Sequence, residues 1–157
     1  MQLVVTLRIF TLGCLVVAAV LSAMGFRGME GEPDTGDLNI ANIRHIRHSQ
    51  WHIGVCMAEV LFILLMLTFL LITISTRRKP SQRAKALQSS VLCVVSLSML
   101  VSACVESWCA TCFGRSKCWM PSFIGASVML FLACFLTLVD AYKTYTGPSK
   151  SQTITNK

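Results

Sequence analysis

Charged side chains are scarce in this sequence. Only 13% of its 157 residues are Asp, Glu, Lys or Arg, whereas 54% are hydrophobic. A soluble domain usually carries about 25% charged residues. The hydrophobic stretches of the sequence also lack the sustained polar stripe that a helix on the surface of a soluble protein needs. Together, these two shortages argue against a water-soluble domain.

The hydrophobic residues are gathered into four long stretches. Each is close to the roughly 20 residues that a helix needs to cross the hydrocarbon core of a bilayer. None alternates between apolar and polar residues, as the strands of a membrane β-barrel would. Because backbone groups in lipid must be satisfied internally, helices are the expected structure. The predicted spans are 3–26, 53–76, 87–105 and 123–142.

The sequence therefore predicts an all-α membrane protein, an antiparallel four-transmembrane-helix bundle over residues 1–142. Residues 143–157 are rich in Ser, Thr and Lys, and they are predicted to form a disordered cytoplasmic tail. The first stretch has an alternative interpretation as a cleaved signal peptide, since small residues Ser22 and Ala23 would precede the cut. Arg8 lies inside this stretch and no Lys or Arg precedes it, so we expect the helix to be retained.

The distribution of basic residues predicts the sidedness of the spans. The connection between the second and third spans has five Lys or Arg and no acid, and the tail adds three lysines. The other two connections have three and two, so the positive-inside rule places both termini in the cytoplasm. We therefore interpret the basic residues behind the net charge of +7 as signals that orient the spans, and no nucleic-acid partner is expected. The basic cluster would face the anionic inner leaflet, or act only as a stop signal; its members are Arg77, Arg78, Lys79, Arg83 and Lys85.

Cysteines are concentrated in the connection between the third and fourth spans, which this topology places outside. Cys109, Cys112 and Cys118 lie there, and an oxidising compartment permits disulfides. We therefore predict a disulfide within this connection. The pairing stays open, because Cys104 and Cys56 lie near the same outer face.

Two other chemistries are available to the outer residues. Residues 108–112, Trp-Cys-Ala-Thr-Cys, have the spacing of a thioredoxin redox motif, but that motif works in a βαβ context that this sequence lacks. His45, His48 and His52 would share one face if their stretch is helical, and with the cysteines they would offer zinc ligands. Spacing alone is weak evidence, so we expect no catalytic, cofactor or metal site.

Three charged residues are predicted within the spans, namely Arg8, Glu59 and Asp140. An uncompensated charge in hydrocarbon costs roughly 2.5–3.5 kcal/mol on insertion scales. Arg8 and Asp140 share a similar depth near the cytoplasm, so either they pair or each reaches its own interface. Glu59 lies two turns from the outer side, and transport of an ion or proton is the specific interpretation of such a residue.

Aromatic residues accompany the outer cysteines. Trp108, Phe113 and Trp119 are candidate anchors of an outer contact surface. The same residues would also suit the belt of aromatic side chains found at membrane interfaces.

The first and last spans resemble a known family. Residues 7–12, Leu-Arg-Ile-Phe-Thr-Leu, bring an arginine into the first helix, and residues 127–142 close the fourth helix with Val-Asp-Ala-Tyr. Together with the four-span layout, these stretches are similar to MARVEL-domain proteins of the myelin-and-lymphocyte and chemokine-like-factor branches. The cysteine-dense third connection departs from that pattern. The resemblance implies work at apposed or specialised membranes, through lateral packing against lipids and other membrane proteins.

The predicted function is that of a non-enzymatic integral membrane protein that organises membranes or partner proteins. It would act in trafficking, membrane apposition or junctions, at the plasma membrane or in secretory-pathway vesicles. Its expected partners are membrane lipids, other membrane proteins or a second copy of the chain. The alternatives are a small transporter or channel subunit that uses Glu59, and a membrane redox enzyme that uses Cys109 and Cys112.

Overall fold

The computed structural model consists of four long helices. It describes residues 2–30, 41–75, 81–112 and 120–147, and it describes side-chain surroundings in these ranges except at 26–30, 41–50, 52, 109, 112 and 120. The helices are α1 (Gln2–Glu30), α2 (Ala41–Ser75), α3 (Gln82–Cys112) and α4 (Met120–Thr146).

Each helix contains a segment that is long and apolar enough to cross a membrane. The all-helical class predicted from composition is therefore confirmed, as are four helices with the length and apolar character of spans. The segments are Gln2–Gly25, Ile53–Ser75, Gln82–Trp108 and Pro121–Thr146.

All four helices extend beyond the apolar stretches that predicted them, and α2 and α3 do so by the most residues. The helix α2 begins at Ala41, twelve residues before its predicted span, and α3 continues to Cys112 instead of ending at residue 105. Neither Gly nor Pro occurs between Ala41 and His52, so no backbone-breaking residue opposes helix in this polar segment. An apolar stretch marks the part of a helix that lipid can solvate, and a helix can continue past it into water.

Serine hydroxyls connect α3 to α4 along most of their shared length. Ser89 donates to the carbonyl of Ala141 at 3.0 Å, and Ser96 donates to that of Cys134 at 3.0 Å. Ser127 of α4 donates in turn to the carbonyl of Ala103 at 3.1 Å. As residue numbers rise along α3, those of the contacted residues fall along α4. Hydrogen bonds between helices stabilise their association in lipid, so these three bonds hold α3 and α4 side by side.

Small residues allow the backbones to approach closely. Ala18, Ala103, Ala126 and Ala133 have no exposed surface, and they lie where helices meet. In lipid, where apolar burial does not drive association, such close contact supplies much of the packing energy. Larger side chains fill the space between the helices: Leu15, Phe62, Met66, Leu92, Met99 and Leu130.

The outward surface of the bundle is strongly apolar. Phe10, Leu61, Leu97 and Phe135 are all more than half exposed, and each lies on a different helix. Soluble monomers rarely expose contiguous apolar surface of this extent. The distribution is that of helices surrounded by lipid tails.

Candidate functional site

Arg8 is the largest fully buried side chain of the described bundle, and it lies about two turns into α1. Its Nε donates to Oδ2 of Asp140 at 2.8 Å, and its Nη2 lies 3.4 Å from Oδ1 of the same carboxylate. Arg8 is 1% exposed and Asp140 is 0% exposed. The approach of these two residues, one of the two alternatives open from the sequence, is therefore present, and it places two opposite charges in contact inside the bundle.

The remaining donors of Arg8 reach the other two helices and a second group on α4. Its Nη1 donates to the carbonyl of Phe69 at 2.9 Å and to the hydroxyl of Thr73, both on α2. On α4, Thr144 accepts from Nη2 at 3.4 Å. With its amide oxygen turned towards the guanidinium, Gln88 of α3 accepts from Nη2 at 2.9 Å and from Nη1 at 3.2 Å. One side chain of α1 therefore bonds to α2, α3 and α4.

We call this group the Arg8 cluster; it comprises Arg8, Phe69, Thr73, Gln88, Asp140 and Thr144. Within it, Thr144 also lies 3.3 Å from Oδ1 of Asp140, and the ring of Phe69 lies 5.8 Å from Cζ of Arg8. A buried ion pair needs additional hydrogen bonds to offset the loss of hydration of both charges. The cluster supplies these bonds, so it neutralises the charge and orients all four helices.

A second buried polar group lies near the other end of the bundle. The hydroxyl of Ser22 on α1 lies 3.0 Å from Oε1 of Glu59 on α2 and 3.4 Å from Oε1 of Glu106 on α3. All three residues are fully buried. Since both carboxyl oxygens contact the same hydroxyl, the two acids are close neighbours. We call this group the Glu59 cluster.

Glu106 lies in a different place from the one predicted. The sequence placed it in the outer connection, because the apolar stretch ends at Val105. The structure instead places it within α3, facing the interior of the bundle. Met99, Ala103 and Ala110 are buried too, and together with Glu106 they follow the three- and four-residue spacing of one helix face. That spacing is the sequence signal that would have identified Glu106 as an interior residue.

The predicted basic cluster divides into residues with different surroundings. Arg83 is exposed. Lys85 is buried, and its ammonium donates to the carbonyl of Gly147 just past the end of α4. A cation at that position is stabilised by the partial negative charge of the carbonyls at a helix C-terminus. Arg77, Arg78 and Lys79 lie outside the described residues.

The outer cysteines and aromatics are described only in part. The side chains of Cys109 and Cys112 and all of residues 113–119 lie outside the described part of the chain. The disulfide predicted within this connection therefore remains a prediction, as do the roles of Phe113 and Trp119. Trp108 is described, and it is about half exposed in the last turns of α3. Free thiols are present in the described segments at Cys14, Cys93, Cys104 and Cys134.

The four apolar helices, with the buried ion pair of Arg8 and Asp140 between them, indicate a multi-pass membrane protein. No protein-family model, curated protein or solved structure matches the chain. Its function must therefore be argued from the two buried clusters and from the surface of the bundle.

Proposed function

We propose that this chain is a non-enzymatic integral membrane protein that organises membranes or partner proteins. The observation that carries the proposal is the Arg8 cluster, in which one buried guanidinium bonds to all three of the other helices. Such a cluster fixes the positions of the helices relative to one another. A fixed bundle presents a constant apolar outer surface, against which lipids and other membrane helices can pack.

The proposed topology is an antiparallel bundle with both termini in the cytoplasm. Two kinds of contact support it: Arg8 near the start of α1 meets Asp140 near the end of α4, and the Ser89 and Ser96 contacts run in opposite order along α3 and α4. The five Lys or Arg between the second and third spans support the cytoplasmic placement.

The MARVEL-like interpretation is also part of this proposal. The two stretches that resemble that family contribute the two partners of the ion pair, Arg8 and Asp140. Residues that resemble the family thus lie in the buried interior of the bundle. On this basis we assign the chain to trafficking, membrane apposition or junctions, at the plasma membrane or in secretory-pathway vesicles.

Proximity labelling in intact cells tests both the topology and the role. A labelling enzyme fused to either terminus is expected to modify cytoplasmic faces of membrane proteins, with trafficking or junctional proteins enriched among them. The same enzyme inserted at Arg115, in the third connection, is the matched control, and it should label neighbours on the outer side. Outer-side neighbours from a terminal fusion would contradict the topology, and a neighbour set no different from that of bulk membrane would contradict the organising role.

A small transporter or channel subunit is the second candidate, and the Glu59 cluster is the observation that favours it. Two acids and a hydroxyl from three different helices converge at one buried point. Ionisable residues inside membrane bundles commonly mark ion or proton pathways. The leading proposal treats the same residues as interior polar contacts between helices.

Ion flux into vesicles that contain the purified chain separates the two candidates. The leading proposal expects wild type and Glu59→Gln to show the same flux as empty vesicles. Transport would instead give flux in the wild type that Glu59→Gln abolishes, because the amide keeps the shape and the acceptor oxygen but cannot ionise or exchange a proton. Thr68→Val, on the exposed face of the same helix, is the control and should match the wild type in either case.

A further inference from the structure

One end of the bundle brings together the start of α3 and the finish of α4. Lys85 of α3 donates to the carbonyl of Gly147, and Ser89 of α3 donates to that of Ala141 at 3.0 Å. Arg83 lies two residues before Lys85 on α3, Lys143 lies between Ala141 and Gly147 on α4, and both side chains are exposed. We call the described residues at this end of the bundle the basic end.

The described residues of the basic end carry no exposed acid. After Glu106 the sequence contains a single acid, Asp140, and that carboxylate is buried against Arg8. Glu106 itself lies 21 residues along α3 from Lys85, which is about 30 Å of helix. The charges of Arg83 and Lys143 are therefore not offset by a described acid nearby.

Aromatic and aliphatic side chains place these cations at the boundary of the apolar surface. Tyr142 and Tyr145 are 63% and 55% exposed, and they lie on either side of Lys143 in sequence. The ammonium of Lys143 lies 6.0 Å from the centre of the Tyr142 ring. One turn after Arg83, Leu87 is 69% exposed. Exposed tyrosines beside cations are typical of residues at the depth of lipid headgroups.

We propose that the basic end is a docking surface for anionic phospholipid headgroups, built on Arg83 and Lys143 with Tyr142 and Tyr145 at its apolar edge. The positive charge of the two cations favours a negatively charged headgroup. The exposed apolar side chains beside them can contact acyl chains, so they favour the phosphate of a lipid over a phosphate ion in solution. Lys85 is not part of this surface, because its side chain is buried and its ammonium donates to the carbonyl of Gly147. The inference deepens the proposed function and rests on it in one respect, that the chain acts through the lipids around it.

Spin-labelled lipids test the proposal on the full chain in nanodiscs. The measurement is the association of labelled phosphatidylserine relative to labelled phosphatidylcholine, from the motionally restricted part of the spectrum. We expect wild type to prefer phosphatidylserine, and Arg83→Gln/Lys143→Gln to weaken this preference by up to about fivefold for each charge. Both replaced residues are exposed, so folding should persist, which circular dichroism and gel filtration would verify. Added salt should lower the wild-type preference in the same direction.

The matched control is Arg115→Gln/Lys117→Gln, which removes the same charge from the third connection. It should retain the wild-type preference. Equal preference in both double variants, or no preference in the wild type, would overturn the proposal. Both leaflets of the nanodisc contain the lipid, so the outcome does not depend on topology. If this preference fails while labelling finds organised neighbours, only the lipid surface is wrong; if the preference holds and the labelling finds none, only the organising role is wrong.

Discussion

Replacing Arg8 by methionine is expected to lower the free energy of unfolding by about 3–5 kcal/mol. The substitution leaves the carboxylate of Asp140 buried and without its cation, and it removes bonds to α2, α3 and α4. Asp140→Leu should act similarly, because it leaves the guanidinium of Arg8 unpaired in the bundle. Unfolding in mixed micelles, with a denaturing detergent added stepwise, measures the change.

The double variant Arg8→Met/Asp140→Leu distinguishes an ion pair from two independent contacts. With both charges removed, no uncompensated charge remains, so the double variant should lose less stability than the two single variants added together. Arg83→Gln removes a cation from an exposed position near the same end, and it should change stability by less than about 1 kcal/mol. Strict additivity of the single effects would contradict a coupled pair.

Replacing Gly25 by alanine is expected to destabilise the bundle by about 1–3 kcal/mol. A Cβ atom at Gly25 would lie 2.9 Å from both Cε1 and Cζ of Phe123. Phe123 is fully buried, so its ring can move away only if the residues around it shift. The contact between α1 and α4 must therefore widen, and the loss of packing should appear in the same micelle unfolding measurement.

Gly13 is the matched control, because it lies on the same helix and a Cβ atom there would have no neighbour within 4 Å. Gly13→Ala should leave stability unchanged or raise it by up to about 1 kcal/mol through helix propensity. In a Phe123→Leu background, Gly25→Ala should have a smaller effect than in the wild type, since the overlapping ring atoms are gone. If the two alanine variants unfold alike, close packing at Gly25 is not what limits stability.

The number of helices and their apolar character were predictable because both are local properties. A run of about twenty apolar residues indicates a possible span wherever it occurs, without knowledge of its neighbours. The ends of the helices were less predictable. Polar residues such as those from Ala41 to His52 are compatible with either helix or loop, and hydrophobicity alone does not choose between them.

The ion pair could be anticipated only as one of two alternatives. Arg8 and Asp140 are separated by 132 residues. Their similar depth made a contact possible, but the contact also requires that both helices turn these residues inwards. Thr144 lies one turn after Asp140 and so was within reach of the same site by helical spacing. Nothing local marked Thr73 or Gln88 as a partner of Arg8.

By itself, the sequence determined that this protein has four helices able to span a membrane, and that its few charges need partners. Only the tertiary structure decided which partners they have: Asp140 for Arg8, the Gly147 carbonyl for Lys85, and a shared serine for Glu59 and Glu106. The physical reason is that span length and hydrophobicity act within one helix, whereas side-chain pairing depends on how each helix is rotated and shifted against the others. That rotation is settled by packing across the whole bundle.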